Sequence, residues 1–223
     1  MDRFNTWRDE KNNQQVVTDA KSGYEMLVSF DAWKHPSGRV SYQGYVGKSQ
    51  RQIPITARDY SEYVGHHPGI PVHPALRWIE VGPGAGGFMT HLCAQHDGNP
   101  ESRPVAIDPA DFESLEGLTI FGLAHAGRMG LLESTGARLD ELQRRCALMR
   151  DETKVRLINT TFLKALDQHP DLRQSADVVV ELCAAKLYPE VEVGRDMPMR
   201  SRWRKHVRSL YRELLRPGGV LLS

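Results

Sequence analysis

Cysteine is scarce. Cys93, Cys146 and Cys183 are the only three in 223 residues, far apart and without paired spacing, which excludes a disulfide framework and a cysteine-built zinc site. The histidines offer no substitute: residues 66, 67, 73, 91 and 96 share no metal-ligand spacing, and His91 and His96 fall off a common helical face, so no metal is expected. No apolar run approaches the roughly 20 residues needed to span a bilayer, and the first residues, MDRFNTWRDEKNNQQ, are too polar for a signal peptide. Together these features place the chain in a reducing, cytoplasmic setting with no membrane partner. Charge of one sign is also missing. A formal net charge of +1 gives neither nucleic acid nor membrane a global hold, so any basic surface must be local. Apolar and charged fractions of 40% and 26% are those of an ordinary globular protein, long enough for one α/β domain and an appendage.

What stands out is residues 76–88, LRWIEVGPGAGGF. Leu76, Trp78, Ile79 and Val81 make an apolar run, glycines follow at 82, 84, 86 and 87, and Phe88, Met89, Leu92 and Cys93 then recur at helical spacing, a pattern of strand, tight turn and helix. Glycines in such a turn let the backbone approach a ligand, and the first helical amides point at whatever binds there. The spacing Gly82, Gly84, Gly87 also satisfies the dinucleotide fingerprint, which leaves a nicotinamide-dependent oxidoreductase open. A second apolar run, Val105-Ala106-Ile107, ends in Asp108, about 20 positions past the turn, where a nucleoside-binding unit places a ribose-holding carboxylate.

Before this core, residues 1–22 are rich in Asn, Gln, Lys and Asp and read as a frayed helix or tail. Alternation at Met26, Val28 and Phe30 and again at Val40 and Tyr42 predicts short strands, with a hairpin over Arg39–Ile55 turning at Gly47-Lys48-Ser49. Arg58–Val64 fits one helical turn, and Gly65–Pro71 is a breaker-rich linker. The domain division is thus 1–72 for an N-terminal extension and 73–223 for the α/β domain. The stretch from Asp108 to the next strand exceeds one crossover helix, implying an insertion at about 111–131, read either as a wall over the substrate or as a helix packed on the sheet. Leu139, Leu142, Cys146 and Met149 then trace an amphipathic helix. Strand three, Val155–Ile158, ends at Asn159-Thr160-Thr161. Strand four, Val178–Val180, ends at Glu181. A basic helix near Ser201–Leu215, burying Trp203, Val207, Leu210 and Leu214, is stopped by Pro217-Gly218-Gly219, which feeds strand five.

Glu80 followed by the alternating glycines, the acid closing strand two, Asp177–Glu181 (DVVVE) and Leu214–Leu222 (LLRPGGVLL) together resemble the class I S-adenosylmethionine-dependent methyltransferases, over roughly residues 73–223. The resemblance implies an α/β fold: a Rossmann-like, doubly wound, mostly parallel sheet of strand order 3-2-1-4-5, here with the family's last two strands apparently missing. It also implies S-adenosyl-L-methionine as cofactor. Gly82, Pro83, Gly84, Gly86, Gly87 and Phe88 would line its methionine half, Glu80 would support its ammonium, and Asp108 would take both ribose hydroxyls. Thr160 and Thr161 occupy the region that reads adenine, with Pro109 and Ala110 able to pack on its face. Each carboxylate suits its partner, a cation or a pair of hydroxyl donors.

Glu181, at the end of the strand adjoining strand one, is the candidate catalytic base and a further cofactor-pocket residue. The N-P-P-Y signature of enzymes that methylate amide or adenine nitrogens is replaced by Glu181-Leu182-Cys183-Ala184, which favours an oxygen acceptor. Gly86-Gly87-Phe88 is similar to the turn of RNA ribose 2′-O-methyltransferases, and the helix carrying Arg200, Arg202, Arg204, Lys205, Arg208 and Arg212 offers a surface for phosphate. The acceptor is therefore a small molecule or RNA. No lysine falls between Arg58 and Gly82, where that RNA family keeps a catalytic one. A catalytically inactive binding module of the same fold is the remaining alternative.

Overall fold

The computed structural model describes residues 2–11, 14–29, 44–45, 75–83, 87–95, 99–128, 143–181 and 197–222. The chain divides into two compact units. One comprises Met1–Asp59, Gly84–Gly87 and Ala110–Arg150, the other Tyr60–Pro83, Phe88–Pro109 and Asp151–Ser223.

In the first unit, β1 (Phe4–Asp9), β2 (Gln14–Asp19), β3 (Glu25–Ser29) and β4 (Gly44–Tyr45) form an antiparallel sheet in that order. The expectation of a frayed helix or tail over residues 1–22 is thereby corrected: polar composition concealed two paired strands. What fixes them is a buried acid. The Asp19 side chain, fully buried, takes two hydrogen bonds from Arg3 at 3.0 and 3.1 Å, one from the Ser22 hydroxyl at 2.8 Å and one from the Lys21 amide at 3.0 Å. Burial pushes the Asp19 pKa up, but the bonds from Arg3, Ser22 and the Lys21 amide outweigh it and hold the carboxyl below its ordinary range. Gly44–Tyr45 pairs with Glu25–Met26 of β3, so this part of the expected Arg39–Ile55 hairpin belongs to the antiparallel sheet. The rest of that hairpin lies outside the described residues, as do the helical turn at 58–64 and the linker at 65–71.

The segment expected as an insertion forms the helix α2 (Phe112–Arg128), which packs on β2 and β3 and runs unbroken through Gly117, Gly122 and Gly127. Asp111 caps it, accepting the Ser114 amide at 3.0 Å, and the Phe4 ring stacks on Phe121 at 4.9 Å. Residues 143–150 form a further helix, α3, burying Cys146 and Met149 as the sequence spacing predicts.

The second unit holds β5 (Trp78–Val81), β6 (Val105–Ile107), β7 (Arg156–Ile158), β8 (Ala176–Val180) and β9 (Leu215–Leu222), all parallel, in the order β7-β6-β5-β8-β9. This is the Rossmann-like order 3-2-1-4-5. Every residue of β5 and β8 is buried, as expected of central strands covered on both faces. Three helices accompany the sheet: α1 (Gly87–Gln95), α4 (Phe162–Gln168) and α5 (Met197–Glu213). The apolar faces of α4 and α5 join Ile79, Val81, Ile107, Ile158 and Val179 in one core, where Phe162 meets Tyr211 at 4.6 Å between ring centres. Tyr211, fully buried, sits four residues past Val207 on the helical face that the sequence pattern marks by Trp203, Val207 and Leu214.

The entry to β9 differs from expectation. Pro217-Gly218-Gly219 does not separate helix from strand; α5 ends at Glu213 and the strand already begins at Leu215, with a register shift against β8 between Ala176 and Val178. Gly218 takes φ +84°, and a side chain at Gly219 would meet the carbonyl oxygens of Ala176 and Asp177 at 3.0 Å. The glycines thus form a bulge that lets β9 approach β8.

Candidate functional site

Parallel strands end together, so the residues just past them share one edge of the sheet. Pairing puts Val81 beside Ile107 and Ile107 beside Ile158, while Glu80 lies level with Val180. Gly82, Asp108, Asn159 and Glu181 follow these positions. Backbone bonds lock three of them in place: Gly82 donates to Ile107 at 2.9 Å, Asp108 to Ile158 at 3.2 Å, and Glu181 to Leu222 at 2.8 Å. The Asn159 side-chain amide donates to the Asp108 carbonyl at 3.0 Å, tying the ends of β6 and β7. Gly82 turns the chain with φ +67°, a backbone region that favours glycine, and α1 starts five residues later.

Three acids are buried along this edge: Glu80, Asp108 and Glu181, with 3%, 5% and 3% of their surface exposed. Burial of several carboxylates in one place is costly unless something compensates. For Glu80 the compensation is partial. The Met89 amide, in the first turn of α1, donates to it, yet its Oε2 is buried without a hydrogen-bond partner. Loss of water and, secondarily, the negative charge of Asp108 push the Glu80 carboxyl up to about 8, against the opposing pull of the Met89 amide. A cation placed at Oε2 would relieve both the desolvation and the repulsion. The ammonium of an amino acid is one such group.

Thr160 donates its amide to Ile158 at 2.9 Å, and Thr161 occupies the N-cap position of α4. The Thr161 hydroxyl makes no capping bond, and its oxygen is buried with no partner, a second unfilled polar atom, past the end of β7 and two strands from β5. Pro83 is buried and Pro109 exposed. Phe88 is turned fully inward, edge-on to Trp78 at 5.6 Å, where it packs α1 on β5. Gly84 and Gly86 lie outside the described residues, and Gly87 is the first residue of α1.

Two contributors escaped the sequence reading. Met89 holds one side of Glu80 through its backbone, which the four unpaired amides of any helix start make foreseeable. Asp177 braces the opposite end of the sheet, accepting the Arg77 amide at 2.8 Å and pairing with Arg216, a contact whose only sequence signal is an acid at the start of a buried strand. Among the described residues no group of acids, histidines and cysteines is arranged to hold a metal ion.

Fold and site together define a Rossmann-like sheet with a polar, carboxylate-bearing edge, the arrangement that the resemblance to class I methyltransferases implies. No protein-family model and no curated protein matches the chain. Among solved structures it is similar to the Aeropyrum pernix fibrillarin crystallised with natively bound S-adenosyl-L-methionine, at 14% identity over 86% of this chain and 74% of that one, with a TM-score of 0.32.

Proposed function

We propose that the chain is an S-adenosylmethionine-dependent methyltransferase acting on an oxygen acceptor. The observation that carries this reading is the open, buried Oε2 of Glu80 beside Asp108 at the ends of adjoining strands. A carboxylate in want of a cation and a second one suited to a vicinal diol match the two halves of one small molecule. In this reading Asp108 holds the ribose hydroxyls and Glu80 the ammonium. Gly82 and Pro83, with Gly84, Gly86 and Gly87 following in sequence, shape the turn against the methionine chain. Thr160 and the unpartnered Thr161 hydroxyl face the adenine edge, and Pro109 offers an apolar surface to its ring.

When bound, the cofactor supplies a methyl carbon activated by a neighbouring sulfonium. The chain's task is then alignment and exclusion of water. Glu181, fixed by its amide to Leu222 at the end of β8, would take the proton of the acceptor's hydroxyl as that oxygen accepts the methyl group. Titration calorimetry with S-adenosylhomocysteine and with NADH tests the reading. Micromolar binding of the former, weakened at least tenfold in Asp108→Ala, is expected; binding of NADH alone would overturn it.

A further inference from the structure

Helix α5 carries six of the chain's 29 lysines and arginines but only one of its 28 acids, so this helix is +5 and everything else together −4. Its charge is also sorted by face. Val207, Tyr211 and Leu214 are buried, with Trp203 and Leu210 packed beside them, while Arg202, Lys205, Arg208 and Arg212 are exposed on the opposite side. At 100° per residue those four fall within about 120° of one another, a stripe climbing roughly 15 Å along the axis. The helix's acid, Glu213, lies off the stripe and pairs with Arg173. Among the described residues no acid pairs with these four neighbouring cations, which repel one another, and a solvated face gains nothing from keeping them aligned.

We infer that this stripe seats the phosphate backbone of single-stranded RNA. A membrane surface is the poorer partner, because the apolar face an interfacial helix would insert is already spent on the protein's own core. Successive stripe residues rise about 4.5 to 6 Å. Ribose draws neighbouring phosphates closer together than deoxyribose does, which favours RNA over DNA for cations so closely spaced. The placement also serves catalysis. The chain enters β9 directly from α5, so the helix runs back along the sheet and its Arg202 end is the one near Glu181; at about 25 Å it outreaches the roughly 16 Å strand β8 at that edge. The choice of RNA rests in part on the oxygen-acceptor reading, since the ribose 2′-hydroxyl is the oxygen nucleophile that DNA lacks.

The test is fluorescence anisotropy with a labelled twelve-nucleotide oligouridylate over 50 to 200 mM salt. Four phosphate contacts to a single strand give a log–log slope of about −2.8, a loss of about 50-fold in affinity over that range. In the triple variant Arg202→Gln/Lys205→Gln/Arg208→Gln the slope falls to about −0.7, whereas Arg202→Lys/Arg208→Lys retains it; matching melting temperatures exclude misfolding. A flat response in the wild type, or an unchanged slope in the glutamine variant, overturns the inference. So does oligodeoxythymidylate of equal length binding as tightly as oligouridylate, or polyglutamate displacing it at equal charge. S-adenosylhomocysteine titration of the wild type keeps the two readings apart: failure there removes the methyltransferase proposal, while the salt slope still decides the stripe.

Discussion

On the proposed reading, the raised pKa of Glu80 would make cofactor binding a proton-coupled event. At neutral pH a buried carboxyl at about 8 is mostly protonated, and only its ionised form pairs with an ammonium. The ionised fraction is about 0.24 at pH 7.5 and about 0.003 at pH 5.5, so affinity for S-adenosylhomocysteine should fall by about 75-fold on acidification across that window. Among the described residues the other titratable groups that act on Glu80 are Asp108 and the thiol of Cys93, and burial chiefly pushes that thiol up to about 11, out of the range. Calorimetry at pH 6.5 in two buffers of different ionisation enthalpy should detect release of about one proton per ligand. In Glu80→Gln the release should vanish and affinity should become flat with pH.

The same shift acts on stability with the opposite sense. A carboxyl whose folded pKa lies above its unfolded value of 4.5 stabilises the fold fully below 4.5 and loses that contribution as pH rises through about 8. The gap of 3.5 units sets an upper limit of about 5 kcal/mol. Without ligand, Glu80→Gln should therefore melt higher than the wild type at pH 8.5 and give up that advantage at pH 5. Pairing of a more stable fold with weaker binding is the signature of a residue kept for its ligand. Affinity independent of pH in the wild type, with no proton released, would refute the assignment of Glu80 to the ammonium.

Two further outcomes follow from the geometry. Glu181→Gln should lower kcat by about 100-fold or more with KM for the cofactor little changed, measured by initial rates on whichever acceptor is turned over, because the amide keeps the shape and loses the base. Gly219→Ala should lower stability by roughly 1 to 3 kcal/mol in urea titration, since the new methyl would press on the Ala176 and Asp177 carbonyls at 3.0 Å.

How much of this was legible in the sequence varies by mechanism. The central strands announce themselves because burial on both faces demands unbroken apolar runs, and Val178–Val180 has no other plausible place. The polar residues closing those runs were equally plain, since an acid straight after a buried strand needs a reason. The N-terminal strands were hidden: β1 and β2 are polar at most positions, with Asn5, Thr6, Trp7 and Arg8 exposed, and only Val16 and Val17 are buried hydrophobics. Their register depends on Arg3 meeting Asp19, a contact between residues 16 apart that no local period records. The bulge in β9 was misplaced for a related reason. Pro-Gly-Gly signals a break wherever it stands, and only the close approach of Ala176 and Asp177 distinguishes a break inside a strand from one before it.

The same distinction explains why the electrostatics of the edge could not be read beforehand. Glu80 and Asp108 are far apart in sequence, and each alone has an ordinary role. Parallel pairing of β5 with β6 places Glu80 opposite Ala106, two residues short of Asp108, and sets the two charges against each other in a space that excludes water. Neither acid is unusual; the register between their strands is what leaves one of them with an unsatisfied oxygen. A charge pair of like sign, buried and tied to rigid strands, cannot relax by moving apart. It must take up a proton or a cation, which is why we propose a nucleoside carrying an ammonium as the ligand that would meet both acids.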